Sequence, residues 1–238
     1  MTLVDWGWDE RWAEQAVALN ADPSGIARVT GQERRRWTIQ TGEGSRSART
    51  PSASGIQPMP VTGDWVVVRP GPEPTDPWSL EAVLPRRSAI SRGEAGSGKV
   101  EQVMAANVDK VWIVHGLDMP VNLRRIERYL VVIWESGASP EIILTKTDLG
   151  GDMDAVLAML QPVAMGVPIR NVSATVQESA ELLRDTLSTG STVCLLGPSG
   201  VGKSTLVNLL AGDDVTLTRE VREGDRKGRH TSTHRELF

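Results

Sequence analysis

Gly197, Pro198, Ser199, Gly200, Val201, Gly202, Lys203, Ser204 and Thr205 form the stretch of this 238-residue chain with the clearest chemistry. Gly197, four intervening residues, then Gly202-Lys203-Ser204 is the spacing of a phosphate-binding loop. Its glycines permit tight turns that aim several backbone N–H groups at one point. A lysine in that loop reaches the β- and γ-phosphates of a nucleotide, and a hydroxyl such as that of Ser204 ligates Mg²⁺. The apolar run 193–196 predicts a buried strand entering the loop, and 203–211 predicts a helix whose positive N-terminal end favours anions. A glycine-rich turn that binds nothing is the competing reading, and the strand–loop–helix context argues against it.

Two further groups could read a base. Thr145-Lys146-Thr147-Asp148 follows an apolar run, 141–145. A carboxylate such as Asp148 accepts two hydrogen bonds from the ring N–H and exocyclic amine of guanine, a pair that adenine cannot offer. The stem of Lys146 can lie over the base face. Ser173-Ala174 follows the next apolar run, and small residues there let a backbone N–H approach the guanine carbonyl. In ordinary G domains the phosphate loop comes first and the base motifs last. Here Asp148 and Ser173 precede Gly197, which defines a circularly permuted order.

The elements that must carry these loops are legible as a rhythm. Strands are expected at 111–115, 141–145, 167–172 and 192–196, alternating with helices at 123–136, 153–160 and 176–187. Such alternation predicts a mostly parallel sheet with right-handed crossovers and ligands at the C-terminal strand ends. The helix at 123–136 is expected to present Leu123, Ile126, Leu130, Ile133 and Trp134 on one side. Upstream, short β-like runs at 26–29, 37–40, 65–68 and 80–84 predict a small antiparallel barrel, with 42–60 as a mobile loop. Residues 1–20, with Trp6, Trp8, Trp12, Ala16 and Leu19, predict a short helix packed on that barrel. The glycine-rich stretch 93–99 lacks a preceding strand and reads as linker. The expected division is an N-terminal extension 1–24, a barrel 25–85, a linker 86–107 and a permuted P-loop domain 108–238.

A net charge of −4 argues against blanket attraction to nucleic acid and leaves two local basic clusters, each of which either contacts RNA or is a solvated face. One is Arg28, Arg34, Arg35, Arg36, Arg46 and Arg49; the other is Arg219, Arg222, Arg226, Lys227, Arg229 and Arg235. The single cysteine, Cys194, excludes an internal disulfide and a multi-cysteine zinc site. The N-terminus lacks a signal-type apolar run, and no stretch approaches the ~18 apolar residues of a membrane span, so a cytoplasmic protein is expected.

VTGDWV (61–66), AANVDKVWIVHGLD (105–118), TKTD, Ser173-Ala174, GPSGVGKS and KGRHTSTHREL (227–237) together resemble the RsgA (YjeQ) family of ribosome-small-subunit-dependent GTPases over nearly the whole chain. The resemblance implies an OB-fold barrel before an α/β circularly permuted G domain. It implies GTP/GDP with Mg²⁺ as ligands, and GTP hydrolysis stimulated by the 30S subunit and its 16S rRNA during late maturation, by a monomer. It further implies that 227–237 contains switch I, with Thr231 or Thr233 contacting Mg²⁺ and His230 in place of the usual water-positioning glutamine. In such phosphoryl transfer to water, Lys203 and Mg²⁺ are expected to supply charge stabilisation. Three departures stand out. Thr145 replaces the commoner Asn and removes an amide donor–acceptor pair. No Asp-x-x-Gly loop follows switch I before Phe238, and the family's zinc-binding C-terminal domain is missing, which reads as a truncated member. The alternative reading is an RNA-binding assembly module that senses GTP or GDP without efficient turnover. A P-loop ATP-dependent kinase is disfavoured by TKTD.

Overall fold

A computed structural model describes residues 2–33, 35–51, 56–92, 102–149, 152–173, 178–212 and 236–238. The chain divides into two compact units: Met1–Val108 with Thr189–Thr192 and Ser232–Phe238, and Asp109–Ser188 with Val193–Thr231.

The first unit is built on a closed barrel of β1 (Ile26–Glu33), β2 (Arg36–Thr41), β3 (Gly44–Arg49), β4 (Trp65–Arg69) and β5 (Trp78–Val83). The strands follow the order β1-β2-β3-β5-β4, closing on β1, with β3 and β5 parallel and the other pairs antiparallel. This is the five-stranded OB-fold arrangement. Inward-facing Ala27, Val29, Trp37, Ile39, Ala48, Val66, Val68 and Leu80 fill it. The stretch 42–60, expected to be a mobile loop, contains β3. Its residues are small and polar and give no apolar alternation, yet each pairs with β2, from Arg36↔Arg49 to Thr41↔Gly44. Gly44 (φ +123°) closes this hairpin, where the Thr41 hydroxyl donates to the Gly44 carbonyl at 2.9 Å.

Helix α1 (Glu10–Ala18) starts at Asp9, whose carboxylate accepts from the Trp12 N–H. It lays Trp12 and Ala16 against Ile26, Trp65 and Leu84, and the Trp8 ring meets Trp65 edge-on at 4.8 Å. Arg28, expected among surface RNA contacts, is instead 3% exposed. Its guanidinium donates to the carbonyls of Trp6, Gly63 (3.4 Å) and Asn107 (3.3 Å) and to the Thr192 hydroxyl (2.7 Å), 5.3 Å from the Trp65 ring. A planar five-donor group can be buried when that many acceptors converge on it. The stretch expected as a linker, 86–107, carries an antiparallel pair, β6 (Ala89–Arg92) and β7 (Gln102–Ala106). Gly63 (φ +95°) lies against β7: a Cβ there would sit 2.1 Å from the Ala106 carbonyl oxygen.

In the second unit β8 (Lys110–Gly116), β9 (Ser139–Thr145), β10 (Ile169–Asn171) and β11 (Val193–Leu196) form a parallel sheet in the order β10-β9-β8-β11. Helices α2 (Leu123–Ser136), α3 (Met153–Leu160), α4 (Glu178–Arg184) and α5 (Lys203–Ala211) alternate with the strands. One sheet face buries Trp112, Val114, Ile143 and Val172 with Leu183, Val201 and Leu206. Helix α2 is capped by Asn122 and ends at Gly137 in the left-handed conformation. Its core stripe is Ile126, Leu130 and Ile133; Trp134, expected on that side, is 53% exposed. One residue past Ile133 turns a side chain by about 100°, out of a narrow stripe. No helix among the described residues is long and apolar enough to cross a membrane.

Candidate functional site

The phosphate loop leaves β11 at Gly197, where a Cβ would lie 2.4 Å from the Val114 carbonyl oxygen of β8, so a side chain is excluded. Gly200 (φ +82°) and Gly202 (φ +94°) turn the chain in the left-handed region, and Val201 between them is buried in the sheet–helix core. Gly202 is the N-cap of α5 and makes no side-chain cap bond, so the helix begins with its amide ends turned to the loop. Lys203 arches back over the loop, its Nζ donating to the carbonyls of Gly197 (2.9 Å) and Pro198 (2.7 Å). Burial pushes its ammonium below the usual lysine range. Ser204 and Thr205 are exposed on the first turn of α5, with Ser199 exposed at the loop tip.

Beside it, at the C-terminal end of β9, Thr145 is buried and its hydroxyl donates to the Val201 carbonyl at 2.6 Å. The space above Gly202 is filled by the same threonine, 3.7–3.9 Å from the position of a Cβ. Lys146 takes a left-handed backbone conformation (φ +59°) and pairs with Asp118 at 2.6 Å. Asp148, in the short turn Thr147–Leu149, accepts from the Ser173 hydroxyl at 2.9 Å through Oδ1. Ser173 is set by its own N–H, which donates to the Ser179 hydroxyl of α4 at 3.2 Å. The ends of β9, β10 and β11 thus bring Thr145, Asp148, Ser173 and the 197–205 loop to one edge of the sheet. Ala174, His230, Thr231, Thr233 and the C-terminal basic cluster from Arg219 to Arg235 lie outside the described residues. Among the described residues no cluster of His, Cys, Asp and Glu could by itself hold a metal ion.

Two residues at this edge lie inside the 105–118 motif but are given no role by it. His115, at the end of β8, is buried, which lowers its imidazole below the ordinary histidine range against an opposing hydrogen bond with the Met119 backbone. Asp118 follows in the β8–α2 loop. The expectation that chemistry lies just after each parallel strand applies to β8 as well, and would have pointed to this loop.

A parallel sheet with a Gly-rich Lys-Ser loop after its last strand, the Thr145–Asp148 and Ser173 segments after earlier strands and an OB barrel ahead in sequence has the order of circularly permuted P-loop G domains. The profile of the RsgA GTPase family matches residues 83–238. The chain belongs to that family. It is 41% identical over 218 residues to "Small ribosomal subunit biogenesis GTPase RsgA 1" of Oceanobacillus iheyensis, covering 90% of this chain and 62% of that protein. It is 40% identical over 241 residues to "Small ribosomal subunit biogenesis GTPase RsgA" of Streptomyces avermitilis, covering 99% and 64%. Its fold is similar to that of YjeQ from Thermotoga maritima, with a TM-score of 0.60, 26% identity and coverage of 78% of this chain and 64% of that one. YloQ, described as a circularly permuted GTPase, superposes with a TM-score of 0.56 at 21% identity, covering 77% and 63%. The chain thus spans under two thirds of the length of these relatives and structures.

Proposed function

We propose that this chain binds guanine nucleotide and, as part of the GTPase that its relatives represent, hydrolyses GTP during maturation of the small ribosomal subunit. The observation that carries the reading is the Asp148 carboxylate held by Ser173 at the sheet edge that also bears the phosphate loop. In this reading the loop amides and Lys203 take the phosphates, Lys203 exchanging the Gly197 and Pro198 carbonyls for phosphate oxygens. The chemistry is transfer of the γ-phosphoryl to water, with fixed donors stabilising the developing charge. The exposed Ser204 hydroxyl fits one ligand of Mg²⁺, with Thr231 or Thr233 as another; the ion would neutralise phosphate charge when bound. His230 is assigned to orienting the attacking water. The barrel contacts rRNA through Arg35, Arg36 and Arg49: these are exposed, and Arg36 faces Arg49 directly across the β2–β3 pair, a like-charge arrangement that an anion relieves. The protein is assigned to the cytoplasm, as a monomer on the 30S subunit, with 108–238 as its G domain.

Calorimetric titration of the chain with GDP, a non-hydrolysable GTP analogue and ADP, with Mg²⁺ present, tests this. Guanine nucleotides should bind at least ~10²-fold more tightly than ADP, because adenine leaves the carboxylate unpaired. Asp148→Asn should erase that preference. Equal affinity for GDP and ADP in the wild-type chain overturns the reading.

A further inference from the structure

The β8–α2 loop is fastened to the base-reading loop at two points. The Leu117 N–H donates to the Thr145 carbonyl at 3.0 Å, and the Asp118 carboxylate pairs with Lys146 Nζ at 2.6 Å, the two side chains 33% and 28% exposed. The loop also closes on itself, Met119 N–H to Gly116 carbonyl at 3.3 Å. Gly116 makes room for this: a Cβ there would lie 2.5 Å from Asp118 Oδ1 and 3.5 Å from Lys146 Cδ. Asp118 Oδ1 and Lys146 Cδ thus both border the space that a side chain at position 116 would take, and the carboxylate meets the lysine at its ammonium. A lysine stem has four rotatable bonds, and one left free must be ordered whenever a ligand uses it as a surface. Lys146 is already restricted by its left-handed backbone and by this ion pair.

We propose that Asp118 is a positioning residue for the nucleotide base, pairing with the Lys146 ammonium so that the aliphatic stem is held where it covers the purine face. The proposal rests on the guanine-nucleotide reading above and adds a division of labour to it. The stem meets the ring face, which guanine and hypoxanthine share. Asp148 reads the 2-amino group, which hypoxanthine lacks. A defect at Asp118 therefore weakens both bases equally, whereas a defect at Asp148 changes their ratio.

The test is calorimetric binding of GDP and IDP to the wild-type chain and to Asp118→Ala, Asp118→Glu, Lys146→Ala and the Asp118→Ala/Lys146→Ala double variant. Asp118→Ala should weaken GDP and IDP by the same factor, about fivefold for a partly exposed pair, with the GDP:IDP ratio unchanged. Asp118→Glu should recover most of the loss, and Asp118→Ala should add nothing in the Lys146→Ala background. If Asp118→Ala does not fold, Asp118→Asn replaces it with the same expected pattern. Unchanged GDP affinity, a shifted GDP:IDP ratio, or a full loss persisting without Lys146 overturns the proposal. A wild-type chain that binds neither nucleotide overturns the guanine reading itself, and is seen before any variant is compared.

Discussion

The buried charges of the barrel unit and the charges at the strand ends of the α/β unit are partnered in different ways. In the barrel unit they are closed off by protein. Asp64, 0% exposed, takes two hydrogen bonds from Arg86 and one from the Val61 N–H, all at 2.8 Å, and the Arg28 guanidinium is spread over four acceptors. In the α/β unit the charged groups at the strand ends have replaceable partners. Lys203 leans on carbonyls of its own loop, and Asp148 is exposed, with the Ser173 hydroxyl on one oxygen. Burial of charge by itself therefore does not mark a site here. The proposed nucleotide site rests instead on charge whose present partners a ligand would exchange.

The widest separation should come from Asp64→Ala. Burial pushes the Asp64 carboxyl up and Arg86 pulls it back, so the pair is held by geometry more than by surplus attraction. Removing the carboxylate strands the Val61 N–H and leaves the Arg86 guanidinium its charge and the Met59 carbonyl, and should cost about 3–5 kcal/mol in urea unfolding followed by tryptophan fluorescence. A loss under about 1 kcal/mol would mean that water closes the gap and that the barrel unit is not as sealed as its contacts imply.

Lys203→Met is the mirror experiment. Its ammonium is depressed by burial, so its removal relieves desolvation, and the melting temperature should stay level or rise. Nucleotide affinity should fall by about 10²-fold, ~2.7 kcal/mol, in the same calorimetry that tests the guanine reading. A large stability loss would place Lys203 with the structural charges and break the contrast.

Thr145→Val probes the point where the two modes meet. The threonine opens the proposed base motif, but its hydroxyl is buried on the Val201 carbonyl, as closed as any polar group in the barrel. Valine keeps the branched shape over Gly202 and leaves that carbonyl unpaired, so thermal unfolding should report a loss of about 1–2 kcal/mol that Thr145→Ser largely avoids. Were the loss to appear only in guanine selectivity, Thr145 would be a base contact and not a brace between the two loops.

How much of this was legible depended on how local the physics is. The phosphate loop could be read because its glycines are forced by neighbouring backbone, as at Gly197 against Val114. The parallel sheet could be read because apolar strands alternate with amphipathic helices. Strand β3 could not: Ser45, Arg46 and Ser47 are held by ladder hydrogen bonds and by burial of Ala48, which leave no apolar period. Arg28 was misread because residue type alone favours the surface, and its acceptors come from positions 6, 63, 107 and 192, far apart in sequence. Asp118 was missed for a similar reason. Its place just after β8 could have pointed to the loop, but a lone carboxylate there has no role until Lys146 is seen beside it.

The smallest effect lies at Asp9, where two roles share one carboxylate. It caps α1 by accepting from the Trp12 N–H at 3.1 Å, and it pairs with Arg87, whose guanidinium also lies 4.0 Å from the centre of the Trp12 ring. The Arg87 hydrogen bonds, with help from the helix backbone, hold the Asp9 carboxyl below its ordinary value of 3.8. A carboxyl depressed in the folded state stabilises the fold above its unfolded value, and that contribution is lost as pH falls through the folded one. Asparagine caps a helix about as well as aspartate, so Asp9→Asn should lose only the ion pair: about 0.5 kcal/mol near neutral pH, shrinking to nothing in acid. Asp9→Ala should lose the cap as well, about 1 kcal/mol more at every pH. Thermal melts of the three proteins between neutral and strongly acidic pH separate the two contributions. Nucleotide affinity at neutral pH should not move in either variant, since Asp9 is none of the groups assigned to the nucleotide. An equal penalty for Asn and Ala across the whole range would mean that the salt bridge contributes nothing and that the cap alone fixes this end of α1.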